Sequence, residues 1–365
     1  MTLHSAVEQE IRTLIRQYGR ITFAQFMQAA LYSRRGGFYA SDARIDAHFG
    51  TSAMTHPAFG ALIARQLSEM WHLLGAPRAF DVIEVGSGDG SLARSIVDAC
   101  RRTAPDFAQA LCYVAADFEP RGPRSHPDIR RVKAEGLAAF RNVVGCILTN
   151  ELIDNFPVHR FSVRDGRIEE IFVTVENGEL AEVLGEPSSP RIEERIASLG
   201  LDLPEGFRGE VNLRLEDWTR ELARALDRGF VLTIDYGGTA SELYCGGDTL
   251  VCYHRHAVRQ DPYRDIGRQD ITCHVDFTSL MRLGERHGLT TVGYTTQRQF
   301  LTNLGFPSLL AALETQDVSA ARGALSRLAM NALVDPQDYG DLEVLAQAKG
   351  LARDVRLAGF ARPAP

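Results

Sequence analysis

A doubly wound α/β sheet is the fold class the sequence predicts, and three stretches predict it. Asp81-Val82-Ile83-Glu84-Val85 is an apolar run, followed by the turn Gly86-Ser87-Gly88-Asp89-Gly90 and a periodic apolar segment through Leu92, Ala93, Ile96 and Val97. That order reads as strand, tight turn, helix, in which a glycine turn admits the backbone of a nucleotide-type ligand. The second stretch, Leu111-Cys112-Tyr113-Val114-Ala115-Ala116-Asp117, is another strand, and its final carboxylate can accept hydrogen bonds from a ribose. The third is the buried run Val143-Val144-Gly145-Cys146-Ile147-Leu148, which leads into Thr149-Asn150-Glu151-Leu152-Ile153-Asp154. Ligands of open parallel sheets sit outside the carboxyl ends of the strands, so Asn150, Glu151 and Asp154 are expected near the reacting centre.

Before the sheet, residues 1–75 read as a helical region. Ser5-x-x-Glu8 and Thr22-x-x-Gln25 have capping-box form, and Val7, Ile11, Leu14, Ile15 and then Phe23, Phe26, Met27, Ala30 mark two apolar faces. The Gly- and Arg-rich segment from Tyr32 to His56 is a candidate active-site cover. Residues 76–365 are expected to form the sheet domain, interrupted at about 158–215 by an insertion. There Val158–Val163 and Ile168–Val175, joined through Asp165-Gly166, predict a hairpin, and the Pro/Ser/Glu-rich stretch after Leu184 a loop. The sheet resumes at Gly229–Gly237, after an amphipathic helix Trp218–Leu226. A helix at about Phe277–His287 leads to Thr290–Tyr294, and the Leu- and Ala-rich remainder is expected to be helical.

Composition excludes several functions. The 365 residues are 45% hydrophobic and 24% charged, ordinary for a globular protein, with a formal charge of −7 that argues against a primary nucleic-acid binder. The strip from Arg121 to Arg131 reads as a solvated basic loop. No stretch has the apolar length to span a bilayer, and Glu8 and Glu10 stand where a signal peptide has its apolar core, so a cytoplasmic protein is expected. Six dispersed cysteines without a Cys-x-x-Cys pair point to reduced thiols and no metal site. Nothing in the sequence sets the oligomeric state.

The glycine spacing selects among cofactors. A dinucleotide fingerprint places a third glycine or alanine where Ser91 stands, whereas Glu84-x-Gly86-x-Gly88-x-Gly90 looks like the first motif of class I methyltransferases. The order of further motifs is similar to one family over nearly the whole chain: Ile21–Met27 with Ala30-Leu31-Tyr32, Gly37-Phe38-Tyr39, Phe59-Gly60, Asn150–Pro157, Ile234-Asp235-Tyr236-Gly237, and Asp270–Phe277. The chain resembles the MidA-like family of class I S-adenosylmethionine-dependent methyltransferases, related to the arginine methyltransferase of mitochondrial complex I assembly. The resemblance implies a Rossmann-like fold, S-adenosyl-L-methionine as cofactor, and a cofactor site at Glu84, Gly86, Ser87, Gly88, Gly90, Asp117, Asn150 and Glu151. It departs from the family's Gly-Asp-Phe-x-Thr-x-Pro-Glu at Ala47–Met54, where His48 and Met54 replace acids.

Methyl transfer from a sulfonium is an in-line displacement, so positioning carries much of it, and a base is needed only where the nucleophile must lose a proton. The candidates for the catalytic set are Asp154, His256 and His274. If the chain turns helical after Asn150, Asp154 shares its face. The two histidines serve equally well as structural hydrogen-bonders. The expected function is transfer of a methyl group to O or N of a small-molecule or protein acceptor, with arginine disfavoured by the missing acids. A non-catalytic assembly or scaffold protein that keeps the cofactor fold is the alternative.

Overall fold

The computed structural model describes residues 5–40, 50–121, 126–255, 257–314 and 320–361. Two compact units share the chain: residues 1–49, 153–217 and 237–280 form one, and residues 50–152, 218–236 and 281–365 the other.

The second unit holds the doubly wound sheet. Its strands are β1 (Phe80–Val85), β2 (Leu111–Asp117), β3 (Ile129–Lys133), β4 (Val143–Asn150), β5 (Leu226–Asp235), β6 (Thr290–Thr296) and β7 (Glu343–Lys349). They lie in the order β6-β7-β5-β4-β1-β2-β3. Strands β1 to β5 pair in parallel, and β7 runs antiparallel between β5 and β6. The chain order reverses between β1 and β4, where the connections leave on opposite faces and a crevice opens at the carboxyl ends. Val85 pairs with Thr149 and with Ala116, so the glycine turn, the end of β2 and the end of β4 stand side by side. Phe59, Leu62, Ile63, Phe80, Ile96, Phe107, Phe230 and Phe300 are fully buried in this unit's core.

Strand β7 is a difference from the sequence expectation of a helical C-terminal region. Glu343-Val-Leu-Ala-Gln-Ala-Lys has helix-forming composition, but both of its edges are taken by sheet partners, and that pairing outweighs propensity. The glycine at 145 has a positional reason too. Its φ is +153°, and a Cβ there would lie 2.1 Å from the Asp81 carbonyl oxygen on the neighbouring strand.

The first unit is built on a five-stranded antiparallel sheet. Ile21–Thr22, Arg167–Glu176, His159–Arg164 and Arg208–Val211 lie in that order, and Glu179–Gly185 also pairs with Arg167–Glu176. The predicted hairpin is present, turning through Asp165 and Gly166 with φ of +49° and +69°, as a two-residue turn with left-handed residues requires. The expected loop after Leu184 is a difference: it contains the helix Pro190–Leu199. Ser189 caps it by accepting from the Arg191 N–H, and Ile192 and Ile196 bury against Phe161 and Val163. The helices Ala6–Tyr18 and Phe23–Tyr32 carry the predicted caps and bury Val7, Ile11, Phe23, Phe26 and Met27.

Gly145→Ala is expected to destabilise the protein by more than about 3 kcal/mol, since backbone on the adjacent strand must move to admit the methyl group. The urea midpoint measures it; a change below about 1 kcal/mol would show that the strand relaxes freely.

Candidate functional site

The glycine turn is held by main chain. The Ala116 carbonyl, at the end of β2, accepts from the N–H groups of Gly86 and Ser87 at 2.9 and 3.1 Å, and Gly90 N–H donates to Ser87 O at 2.8 Å. Gly86, Gly88 and Gly90 have φ of +77°, +53° and +77°. A Cβ on Gly86 would lie 2.8 Å from Leu152 Cδ1, which a leucine can yield by shifting, so it is the left-handed φ that favours glycine there; one on Gly88 would meet open space. Gly88 N–H donates to Asp117 Oδ2 at 2.8 Å, and Glu119 N–H to Asp117 Oδ1 at 2.9 Å. Each bond to a carboxylate of this kind contributes about 1.5–3 kcal/mol. Burial raises the Asp117 pKa, against these two bonds and the charges of Arg121 and Arg131.

Glu84 is buried one strand away and accepts from the Tyr113 hydroxyl at 2.8 Å. Burial pushes its pKa up to about 8, so it is largely protonated at neutral pH. Asn150 ends β4 and Glu151 follows it. Glu151 takes φ +50°, and its Oε1 accepts from Ser52 N–H at 2.9 Å, Ser52 Oγ at 2.8 Å and Asn150 Nδ2 at 3.0 Å. Burial raises its pKa as well. Ser52, fully buried, is a site residue the sequence reasoning passed over, although it lies in the segment that departs from the family pattern.

The helix expected to carry Asn150 and Asp154 on one face is absent. Residue 150 still belongs to the strand, Glu151 is left-handed, and a single 3₁₀ turn covers Ile153–Asn155. In the first unit Asp154 is buried and its carbonyl accepts from Cys273 N–H at 2.9 Å, so the residue preceding His274 is tied to it. His274, an exposed residue, lines a pocket of that unit with Glu210, Tyr244 and Asp276, and the desolvation there lowers its pKa. His256 and the positions Ala47–Phe49, with His48, lie outside the described residues. Asn155 and Asp270 are two further groups that the sequence reading did not place in the site. The Tyr39 hydroxyl sits 2.9 Å from Asn155 Oδ1 and 3.0 Å from Asp270 Oδ2, and Asn155 Nδ2 donates to Asp270 Oδ1 at 3.1 Å. Burial pushes the Asp270 pKa up to about 7. Only the motif Asp270-Ile271-Thr272 could have flagged it.

The residues of the second unit fit an adenosyl cofactor. Space is open over Gly88, the Asp117 oxygens keep lone pairs for ribose hydroxyls, and the buried hydroxyls of Ser87 and Thr149 have no hydrogen-bond partner among the described residues.

The family model Methyltransf_28, for S-adenosyl-L-methionine-dependent methyltransferases, matches residues 62–295. Two crystal structures of COG1565-superfamily proteins from Burkholderia thailandensis are similar in fold. The one bound to S-adenosyl-homocysteine has 26% identity and a TM-score of 0.85, covering 98% of this chain and 95% of that chain; the other has a TM-score of 0.83. Curated relatives include the mitochondrial protein arginine methyltransferase NDUFAF7 homolog of Drosophila melanogaster, 26% identical over 78% of this chain and 71% of its own length. The human mitochondrial protein arginine methyltransferase NDUFAF7 is 24% identical over 90% and 79%. The expectation of a cytoplasmic protein is corrected by these names, since the relatives are mitochondrial. No helix among the described residues is long and apolar enough to cross a membrane.

Two measurements follow. Gly88→Val and Asp117→Ala are expected to lower S-adenosylmethionine affinity at least about ten-fold in calorimetry while the fold persists, and unchanged affinity in both would contradict the cofactor placement. Because folding raises the Asp270 pKa above its ordinary value of 3.8, the folded state holds a proton that the unfolded chain releases. Stability contributed by that proton is therefore complete at about pH 4 and falls as pH rises towards about 7. Asp270→Asn should flatten this part of the stability–pH curve, and an unchanged slope in chemical denaturation would place the titration elsewhere.

Proposed function

We propose that this chain, which belongs to the S-adenosyl-L-methionine-dependent methyltransferase family whose model spans residues 62–295, methylates a nitrogen of a protein arginine. The observation that supports this acceptor is a buried carboxyl with neutral partners in the first unit, that of Asp270. Asp270 accepts from the Tyr39 hydroxyl, from Asn155 Nδ2 and from the Ile271 N–H. It has no cation among its described partners, and burial pushes its pKa up to about 7, so an approaching guanidinium would favour its ionised form. The names of the curated relatives favour the same acceptor.

The sequence argument against arginine rested on missing acids at 48 and 54. Met54 is 40% exposed, so an acid there would be solvated and would contribute little to holding a guanidinium. Nothing in the comparisons favours the scaffold alternative.

The cofactor, when bound, supplies a sulfonium-linked methyl group to a nucleophile placed in line with it. Asp117 is assigned to the ribose hydroxyls, and Glu84, Gly86, Ser87, Gly88 and Gly90 to the shape of the cofactor bed. Asn150 and Glu151 are assigned to its edge at the end of β4. Asp154 is assigned to orienting the acceptor nitrogen. His274, whose pKa desolvation lowers, is assigned to accepting the proton the nitrogen loses.

Asp154→Asn is expected to lower turnover at least about ten-fold with S-adenosylmethionine affinity within about two-fold of the parent; full activity would remove Asp154 from the site. Incubation of the purified enzyme with labelled cofactor and fractionated mitochondrial extract, read by mass spectrometry, should place the label in protein methylarginine. Label confined to small molecules would refute the acceptor.

A further inference from the structure

The strand β3 places Arg131 with its guanidinium against the glycine turn. Its Nη2 donates to the Gly88 carbonyl at 3.0 Å, and a Cβ built on Gly90 would lie 3.8 Å from its guanidinium carbon. The same carbonyl accepts from Arg121 N–H at 3.2 Å, while the Gly88 N–H is taken by Asp117. Gly88 is therefore held on both its donor and its acceptor side. Arg94 Nη1 bonds the next carbonyl, that of Asp89, at 2.8 Å, so two arginines engage two consecutive carbonyls of one turn.

We propose that Arg131 is a positioning residue of the cofactor site: it fixes the Gly88 carbonyl so that the turn keeps its shape, and it supplies positive charge beside the carboxylate of Asp117. This rests on the assignment of Asp117 to the ribose. The charged groups around that carboxylate are Arg121 and Arg131, with Asp89 and the titratable, largely protonated Glu84 in the same cluster and Glu119 paired to Lys133.

Two effects separate when the arginine is replaced. Losing the guanidinium frees the Gly88 carbonyl, whose peptide can then rotate, because Arg94 is committed to Asp89 and the Arg121 bond is a neutral backbone one. Losing the charge removes one of two cations that oppose the burial of Asp117, so its carboxyl protonates at higher pH and accepts ribose hydroxyls less well. A lysine keeps the charge but lacks the planar fork whose Nη2 reaches the Gly88 carbonyl.

The test is calorimetric titration of the full-length protein with S-adenosylhomocysteine from about pH 4.5, just above the ordinary carboxylate range, to about pH 8. Arg131→Met, Arg131→Lys and Asp117→Asn are compared with the parent, and melting curves establish that each is folded. Arg131→Met should bind at least about ten-fold more weakly at neutral pH, with a deficit that shrinks as pH rises. Arg131→Lys should recover the parental pH profile without recovering full affinity, and it carries the test where Arg131→Met fails to fold. Affinity within about two-fold of the parent in both Arg131 variants overturns the proposal. A deficit equal at every pH overturns its electrostatic half and leaves a purely geometric role. If Asp117→Asn binds like the parent, the ribose assignment fails together with that half, and the Arg131 variants still report on the turn.

Discussion

The parallel pairing of β1 with both β2 and β4 is the constraint from which the cofactor site follows. Once Val85 is in register with Ala116 on one side and Thr149 on the other, three strand ends emerge at one level of the sheet. The Ala116 carbonyl then lies where it can accept two successive N–H groups of the turn. Backbone thereby fixes a loop whose side chains are almost absent, and the turn needs glycine for shape and close approach rather than for exposed amides. Most of its N–H groups are already spent within the protein: those of Gly86 and Ser87 on Ala116, that of Gly88 on Asp117, and those of Gly90 and Ser91 on Ser87 and Asp89. A nucleotide phosphate would look for free amides in such a turn. A ligand with a ribose and a sulfonium in place of phosphates asks instead for a carboxylate and a surface to lie on.

Carboxyls in this protein fall into two electrostatic kinds, and the contrast separates scaffold from site. In the first unit Arg160 is buried between Glu182 and Asp248 and stacks on Phe23. Burial alone would raise the pKa of Glu182, but Arg160 and Arg208 overcome it and hold the carboxyl below its ordinary range. Asp270, in the same unit, has a phenol, an amide and a backbone N–H as partners, and burial dominates. A buried ion pair satisfied internally has no electrostatic reason to recruit a ligand. A buried acid matched only with neutral donors gains most when a cation arrives, and perturbed groups of that kind cluster at functional sites.

Legibility in the sequence followed the locality of the signal. Caps, the hairpin turn and the strand–glycine–helix unit are decided by residues within a few positions of one another, and Thr22 with Gln25 or Asp165 with Gly166 appear as their spacing predicts. Strand β7 was hidden because its state is decided by partners some fifty and more than a hundred residues away, against its own composition. The helix after Ser189 was hidden by the Pro and Ser that also make a good cap. In the site, the turn and Asp117 were visible as a motif, whereas Ser52, Tyr39 and Asp270 matter only through contacts across 99 to 231 residues of chain. Arg131 was read as part of a solvated strip, because nothing local distinguishes an arginine that folds back on a loop from one that faces water.

Glu151 shows how the departure at positions 47–54 reaches the site through geometry rather than through the charges it lacks. A left-handed φ on a non-glycine residue costs about 1–2 kcal/mol, and it persists only where the surroundings over-determine it. Here three hydrogen bonds from Ser52 and Asn150 hold the carboxyl, the Glu151 N–H reaches Ile234 O at 2.8 Å, and the following N–H, of Leu152, reaches Asp235 Oδ2 at 3.1 Å. The strained residue is what turns the chain sharply off β4 while keeping its N–H in the sheet, and Leu152 then packs where any side chain on Gly86 would have to go. Ser52 thus links the 50–55 segment to the first glycine of the cofactor turn through a carboxyl, a strained peptide and one leucine. A change of residue in that segment acts on the cofactor bed by shifting this chain of contacts, and its effect on affinity depends on what Ser52 donates more than on the charge carried by its exposed neighbours.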